Sequence, residues 1–261
     1  HAANAGFTER LAGQATDGEG RTTYAWLADL VDPARHTRML DLACGSGRLS
    51  SICHQRFGSA VRIDAVDMSA AELSLARARL PTGAVRFHHA LAQDLAFLPA
   101  ASVDVVLCHW ALTLMDPITP VLREVRRVLA PGGVFGAIVD GDPDTAPVYG
   151  AADALIFRHV QRALPNYGAI DLGDPRVRSR DALERLTRSM FDGASIAIEP
   201  NVVQISGEPL SLAAEAAGFY YAAFMLADDA IEALHVDLAA LLAKTGRARF
   251  EMPVNRLIVR V

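Results

Sequence analysis

Met39-Leu40-Asp41-Leu42-Ala43-Cys44-Gly45-Ser46-Gly47-Arg48-Leu49-Ser50 joins an apolar run to an acid, a Gly-x-Gly turn and then a helical pattern. Glycines at such a strand-to-helix junction let the backbone approach a ligand closely. The helix that follows aims free N–H groups and a positive dipole end at any ligand carboxylate or phosphate. Downstream, Val61-Arg62-Ile63-Asp64-Ala65-Val66-Asp67 is a second short apolar run closing on an acid. In a nucleoside-binding α/β sheet, that is where a carboxylate meets the two ribose hydroxyls. The two segments together read as a nucleoside cofactor site. A dinucleotide fingerprint requires a third glycine, and Ser50 stands in its place, which disfavours NAD and FAD.

Around this pair the apolar pattern alternates. Strands are expected at 38–43, 61–66, 84–89, 103–109 and 133–139, with helices at 47–57, 70–79 and 118–129. Short apolar strands interleaved with amphipathic helices give a parallel sheet covered on both faces. Right-handed crossovers make that sheet doubly wound. Residues 1–37 are expected to form an N-terminal helical cap segment, with a helix over 22–31, and residues 38–140 the α/β core. The turn-rich stretch Gly141–Pro147 opens an insertion over 141–207, with helices near 148–163 and 181–191 and an extended segment 195–205. The core pattern resumes over 208–261, with helices at 209–217 and 228–243 and strands at 219–226 and 253–261. The expected fold is α/β: a doubly wound, mostly parallel seven-stranded, Rossmann-like sheet with a helical lid insertion.

Composition narrows the function classes. A chain of 261 residues with 51% hydrophobic and 21% charged content suits one sizeable globular core. A formal net charge of −5 argues against a nucleic-acid partner, because phosphate binding wants a basic face. Arg123, Arg126 and Arg127 read instead as a solvated helix face balanced by Glu124. No uncharged apolar tract reaches the ~18 residues of a membrane span, and no signal-peptide core is evident. Cys44, Cys53 and Cys108 lack metal-ligand spacing, so no metal is expected and a reducing, cytoplasmic setting is. Cys44 and Cys108 fall near strand ends, as reactive thiols or as small packing residues.

The form Asp41-x-Ala43-Cys44-Gly45-x-Gly47 resembles motif I of the class I S-adenosylmethionine (SAM) methyltransferases. Three later elements are similar to that family at its usual intervals. They are Leu95–Pro99 before Ser102–His109, Val121–Gly133 ending in Ala-Pro-Gly-Gly, and Ala213–Phe219 ending in Ala-Gly-Phe. The resemblance is strong over residues 35–140 and weak over 208–261, and it implies SAM as cofactor. It implies a methyl transfer to O, N or C of a small planar or aromatic metabolite, in cofactor or secondary-metabolite biosynthesis. Ubiquinone/menaquinone and natural-product methyltransferases look most alike. A cyclase on the same scaffold, or a SAM-binding protein without turnover, stands as the alternative. The Asn/Asp-Pro-Pro-Tyr/Phe tetrad of base-modifying members is replaced by His109-Trp110-Ala111-Leu112, which disfavours nucleic-acid methylation.

The resemblance, with the rule that ligands bind at the carboxyl ends of strands at the switch point, implies the site residues. Asp41, Ala43, Cys44, Gly45 and Gly47 would face the methionyl part, Asp41 either supporting the loop or capping the next helix. Asp67 would hold the ribose diol in a charge-assisted fork, with Met68 on the adenine face or in the core. Leu91 replaces the family's adenine-binding Asp, which leaves Ala92, Gln93 and Asp94 to read the adenine, unless Asp94 merely caps a turn. His109 would line the pocket or act as general base. Trp26 and Trp110 suit either stacking on a planar substrate or core filling. Tyr24, Asp140, Tyr149, His159 and Tyr167 complete the expected substrate side.

Overall fold

In the computed structural model, which describes residues 6–166, 173–244 and 248–261, the apolar runs become seven strands. These are β1 (Arg38–Leu42), β2 (Arg62–Asp67), β3 (Val85–His89), β4 (Val103–His109), β5 (Leu129–Asp140), β6 (Ser195–Ser206) and β7 (Arg249–Arg260). The helices are α1 (Phe7–Ala12), α2 (Thr23–Ala28), α3 (Arg48–Phe57), α4 (Ala70–Arg79) and α5 (Ile118–Val128), then α6 (Pro147–Ala163), α7 (Arg180–Met190), α8 (Pro209–Ala217) and α9 (Asp228–Ala243). One sheet runs in the order β3-β2-β1-β4-β5-β7-β6. β1 to β5 are mutually parallel, whereas β7 is antiparallel to both β5 and β6. The α/β doubly wound expectation holds, and the sheet is mixed rather than wholly parallel. Strand order reverses between β1 and β4, which puts their carboxyl ends at the switch point.

Alternate strand residues feed two cores. Met39, Val105 and Leu107 meet Leu11, Leu27, Leu49, Ile156, Leu212 and Leu234, so α1, α2, α3, α6, α8 and α9 cover one face. Leu40, Leu42, Val106 and Cys108 meet Val121, Val125, Leu183 and Leu186, so α5 and α7 cover the other. Buried Ile118, Val121, Leu122, Val125 and Val128 make the apolar stripe of α5. Opposite that stripe, Arg127 pairs with Glu124 at 2.7 Å and donates to the Leu95 and Leu98 carbonyls at 2.9 Å. The basic stretch thereby clamps the loop before β4. Gly136 makes room where α2 lies on β5, since a Cβ there would force the Leu30 side chain to shift.

Two expectations change. Residues 219–226 are no strand: Tyr221–Met225 forms a 3₁₀ turn. The last sheet position belongs instead to β6, which pairs with β7 along all twelve of its residues. The expected extended segment 195–205 is therefore part of the sheet. Among the described residues, no helix is long and apolar enough to cross a membrane.

Candidate active site

A cavity of about 500 Å³ opens at the switch point, within the ~300–1,000 Å³ usual for small-ligand sites. β1 delivers Asp41 to it, β2 Asp67, β4 His109, and the first turn of α4 Glu72. Ala43–Ser46 form its floor, in a turn that has positive φ at Ala43 (56°), Gly45 (51°) and Gly47 (77°). Ala43 holds a conformation that costs an L-residue about 1–2 kcal/mol, where glycine would be free of the cost.

The turn is fastened by the two predicted acids. Asp67 Oδ2 accepts the Gly45 N–H at 2.8 Å and Oδ1 accepts the Ser69 N–H at 2.8 Å. Each oxygen keeps a further lone pair for a ligand hydroxyl. Asp41 Oδ2 accepts from the Ser50 backbone N–H at 3.0 Å and from its hydroxyl at 2.6 Å. Burial nevertheless pushes the Asp41 carboxyl up to about 7, against the pull of the Ser50 bonds. Gly47 does not line the cavity. A Cβ there would sit 2.8 Å from Ala76 Cβ, so its bareness lets α3 approach α4.

The opposite wall is aromatic. His109 stacks on Tyr24, centroids 3.6 Å apart, and its Nε2 lies 2.9 Å from Thr23 Oγ1. Burial pushes the imidazole down to about 3. Trp110 holds φ at 55°, donates its indole N–H to Asp140 Oδ1 at 2.6 Å and meets Phe219 edge-on at 4.9 Å. A non-glycine residue kept in that region signals a constrained site. Ala111, Leu114 and Met115 extend this wall with apolar surface.

Thus Asp41, Ala43, Cys44, Gly45, Asp67, Met68, Tyr24, His109 and Trp110 come together around one cavity. Met68 is 65% exposed at the site. Others of the expected set lie elsewhere. Ala92, Gln93 and Asp94 form a loop outside the cavity lining, where Asp94 Oδ1 takes the Ala96 N–H at 3.4 Å as a turn cap. Trp26 is core, its ring 4.4 Å from the Arg256 guanidinium carbon. Asp140 reaches the site only through Trp110, and Tyr149 packs on Phe250 in the core, centroids 5.7 Å apart. His159 bonds Asp237 Oδ2 at 2.9 Å and ties α6 to α9. Tyr167 lies outside the described residues. The described residues contain no cluster of three metal-ligating side chains.

Sequence reasoning missed Gly6 and Glu9 on the N-terminal segment, Glu72, and the Leu114-Met115 wall. Ser69-x-x-Glu72 was readable as a helix-capping box; that its glutamate would face the cavity was not.

The methyltransferase domain family matches residues 39–133. An arsenite methyltransferase of Aquipseudomonas alcaligenes is 37% identical over 37% of this chain and 30% of its own length. The ubiquinone/menaquinone biosynthesis C-methyltransferase UbiE of Methylobacterium nodulans is 29% identical over 65% of this chain and 68% of its own length. The chain thus spans less than a third of the first relative. Among solved structures, one described as a methyltransferase from an antibiotic biosynthesis pathway of Anabaena variabilis superposes with a TM-score of 0.66. It covers 96% of this chain and 99% of its own at 15% identity, which is a likeness of fold. With its motif turn and its strand-end acid, the stretch 39–133 is similar to the methyltransferase domain family, and the whole chain shares the fold of solved methyltransferase structures.

Proposed function

We propose that this chain binds S-adenosylmethionine in the switch-point cavity and transfers its methyl group to a small planar or aromatic metabolite. The observation that carries the reading is Asp67. Its two carboxylate oxygens are aimed by the Gly45 and Ser69 N–H groups beside a bare-backbone turn, the arrangement a ribose diol and an aminoacyl tail require. The cofactor would supply an electrophilic methyl carbon on its sulfonium. The chain's own residues then need to align the acceptor and exclude water, and alignment alone is worth up to ~7–11 kcal/mol.

The wall of Tyr24, His109, Trp110, Leu114 and Met115 supports a flat, largely apolar acceptor. His109 is neutral near pH 7 and too weak a base to hold a proton there, so it serves as wall and spacer. This favours acceptors that ionise readily or carry no proton to lose. An arsenic(III) acceptor fits poorly: a soft metalloid wants thiolates. Cys44, Cys53 and Cys108 are buried, burial pushes all three thiols up, and Cys108 reaches about 12.

Titration calorimetry with SAM and S-adenosylhomocysteine tests the cofactor half. Micromolar binding by the wild type is expected, with Asp67→Asn weakening it about 10- to 150-fold through loss of a charge-assisted bond. Millimolar or absent wild-type binding overturns the reading. Incubation with quinols and phenols, followed by mass spectrometry, tests the acceptor half. Gain of one methylene supports transfer, and an isomerised product of unchanged mass would favour the cyclase reading.

A further inference from the structure

Among the described residues, the cavity lining contains four carboxyl groups, those of Glu9, Asp41, Asp67 and Glu72, and no lysine or arginine. Arg48 and Arg79 line a separate groove that shares Gly6, Glu9 and Ser46 with it. Three of the four acids are already answered within the protein. Asp41 is met by Ser50, Asp67 by two backbone N–H groups, and Glu9 by the Arg79 guanidinium at 2.8 Å and the Ser46 hydroxyl at 2.5 Å.

Glu72 differs. In a capping box, the glutamate at the third helical position takes the N–H of the capping serine. Ser69 Oγ does accept the Glu72 N–H at 3.3 Å, but the Ser69 N–H goes to Asp67 instead. That substitution releases the Glu72 carboxyl. Its Oε1 accepts the Gly6 N–H at 2.7 Å, while its buried Oε2 has no hydrogen-bond partner. Oε2 lies 3.8 Å from where a Gly45 Cβ would stand, on the Gly-x-Gly side of the cavity. The groups that bear on it are Asp67 and Glu9, which oppose its ionisation with burial, and Gly6 and Arg79, which favour it.

Neighbouring groups register the same negative surroundings. Burial and then Asp41 and Asp67 push the Cys44 thiol up, and burial and then Glu9 and Asp41 push the Tyr24 phenol up. An unanswered carboxylate oxygen sealed in the wall of such a cavity is costly unless positive charge comes near it.

Resting on the S-adenosylmethionine reading above, we propose that the cavity selects its cofactor by charge, with Glu72 favouring the cationic sulfonium over the neutral thioether left after transfer. S-adenosylhomocysteine keeps the sugar diol and the aminoacyl tail but lacks the sulfonium charge, so bonds to those groups cannot separate the two. A through-space attraction in a sheltered site does. The consequence is eased product release and weak product inhibition.

The test is calorimetry of wild type and Glu72→Gln with three probes: SAM, S-adenosylhomocysteine, and sinefungin, whose amine keeps a positive charge near the sulfonium position. Wild type is expected to bind SAM and sinefungin at least about threefold more tightly than S-adenosylhomocysteine. Glu72→Gln, which retains an acceptor for the Gly6 N–H, is expected to erase that preference while leaving S-adenosylhomocysteine affinity within about twofold. The proposal is overturned if wild type binds the thioether as tightly as the sulfonium, or if the variant weakens all three probes alike. The wild-type preference stands as a test by itself should the variant not fold. Failure of wild type to bind any of the three would overturn the cofactor reading as well, a result distinguishable from loss of selectivity alone.

Discussion

Asp41 concentrates the electrostatic tension of the site in one side chain. Its carboxyl is buried near the carboxyl end of β1, and burial lifts it to about 7 while Ser50 supplies two hydrogen bonds. An unfolded aspartate titrates near ~3.9. The folded chain therefore holds this proton more tightly than the unfolded chain, so the group's contribution to stability is present near pH 4 and is lost as pH rises through 7. Asp41→Asn keeps one oxygen for both Ser50 donors and has no proton to lose. Its melting temperature is expected to fall less than that of the wild type between pH 5 and 7.5, with the gap widening in its favour as pH rises. Parallel melting curves for the two proteins would contradict this. The acids at strand ends, Asp41 and Asp67, were legible in the sequence because strand, turn and acid are contiguous there. Trp26 and His159 were not, because their partners, Arg256 and Asp237, lie some 230 and 78 residues away in sequence. Nothing local distinguishes a tryptophan beneath an arginine from one that awaits a substrate.

At the scale of elements, the helix pair α3–α4 carries the Gly-x-Gly turn and the Ser69 cap, and Gly47 sets their separation. Gly47→Ala imposes two costs: a left-handed φ of 77° and a Cβ 2.8 Å from Ala76. Together they are expected to remove about 2–4 kcal/mol of stability, read from urea unfolding. Ala76→Gly makes room for the new methyl, so a double-mutant cycle should recover the steric share and leave the backbone share of about 1–2 kcal/mol. Zero coupling would mean that the two helices do not meet at this point. Most elements could be read from pattern alone, because buried parallel strands are near-continuous apolar runs broken by single acids and α5 repeats its stripe faithfully. Two could not. The run Phe219–Leu226 is apolar and aromatic like a strand, yet β6 holds the last sheet position through twelve pairings. β6 itself, half-exposed on the sheet's edge, carries a weaker pattern than the strand it displaced in the reading. α1, six residues between glycines, is too short for periodicity to declare.

The whole molecule is laced together by its N-terminal segment. Gly6 and Glu9 line the cavity, Leu11 and Ala12 are buried in the core, and Thr16 forms a two-bond bridge with Gln204 at 3.0 and 2.8 Å. Asp17 then accepts from Asn201 at 3.2 Å before the chain turns back to supply Tyr24 to the cavity. Ligand bound under this segment should hold it down. Trypsin cleavage after Arg10 and Arg21 is expected to slow several-fold with saturating S-adenosylhomocysteine, measured by mass spectrometry of the early fragments. Unchanged rates, with binding verified, would show that the segment moves independently of the cavity.

The bridge at Thr16 has a second outcome. β6 is the outermost strand on its side, and an uncovered outer strand offers its backbone to any neighbouring copy. If the segment and the cavity move together, loosening it at the cavity would also bare the ladder around Gln204. On that coupling, an empty protein is expected to self-associate more readily than a filled one, read by light scattering with and without S-adenosylhomocysteine.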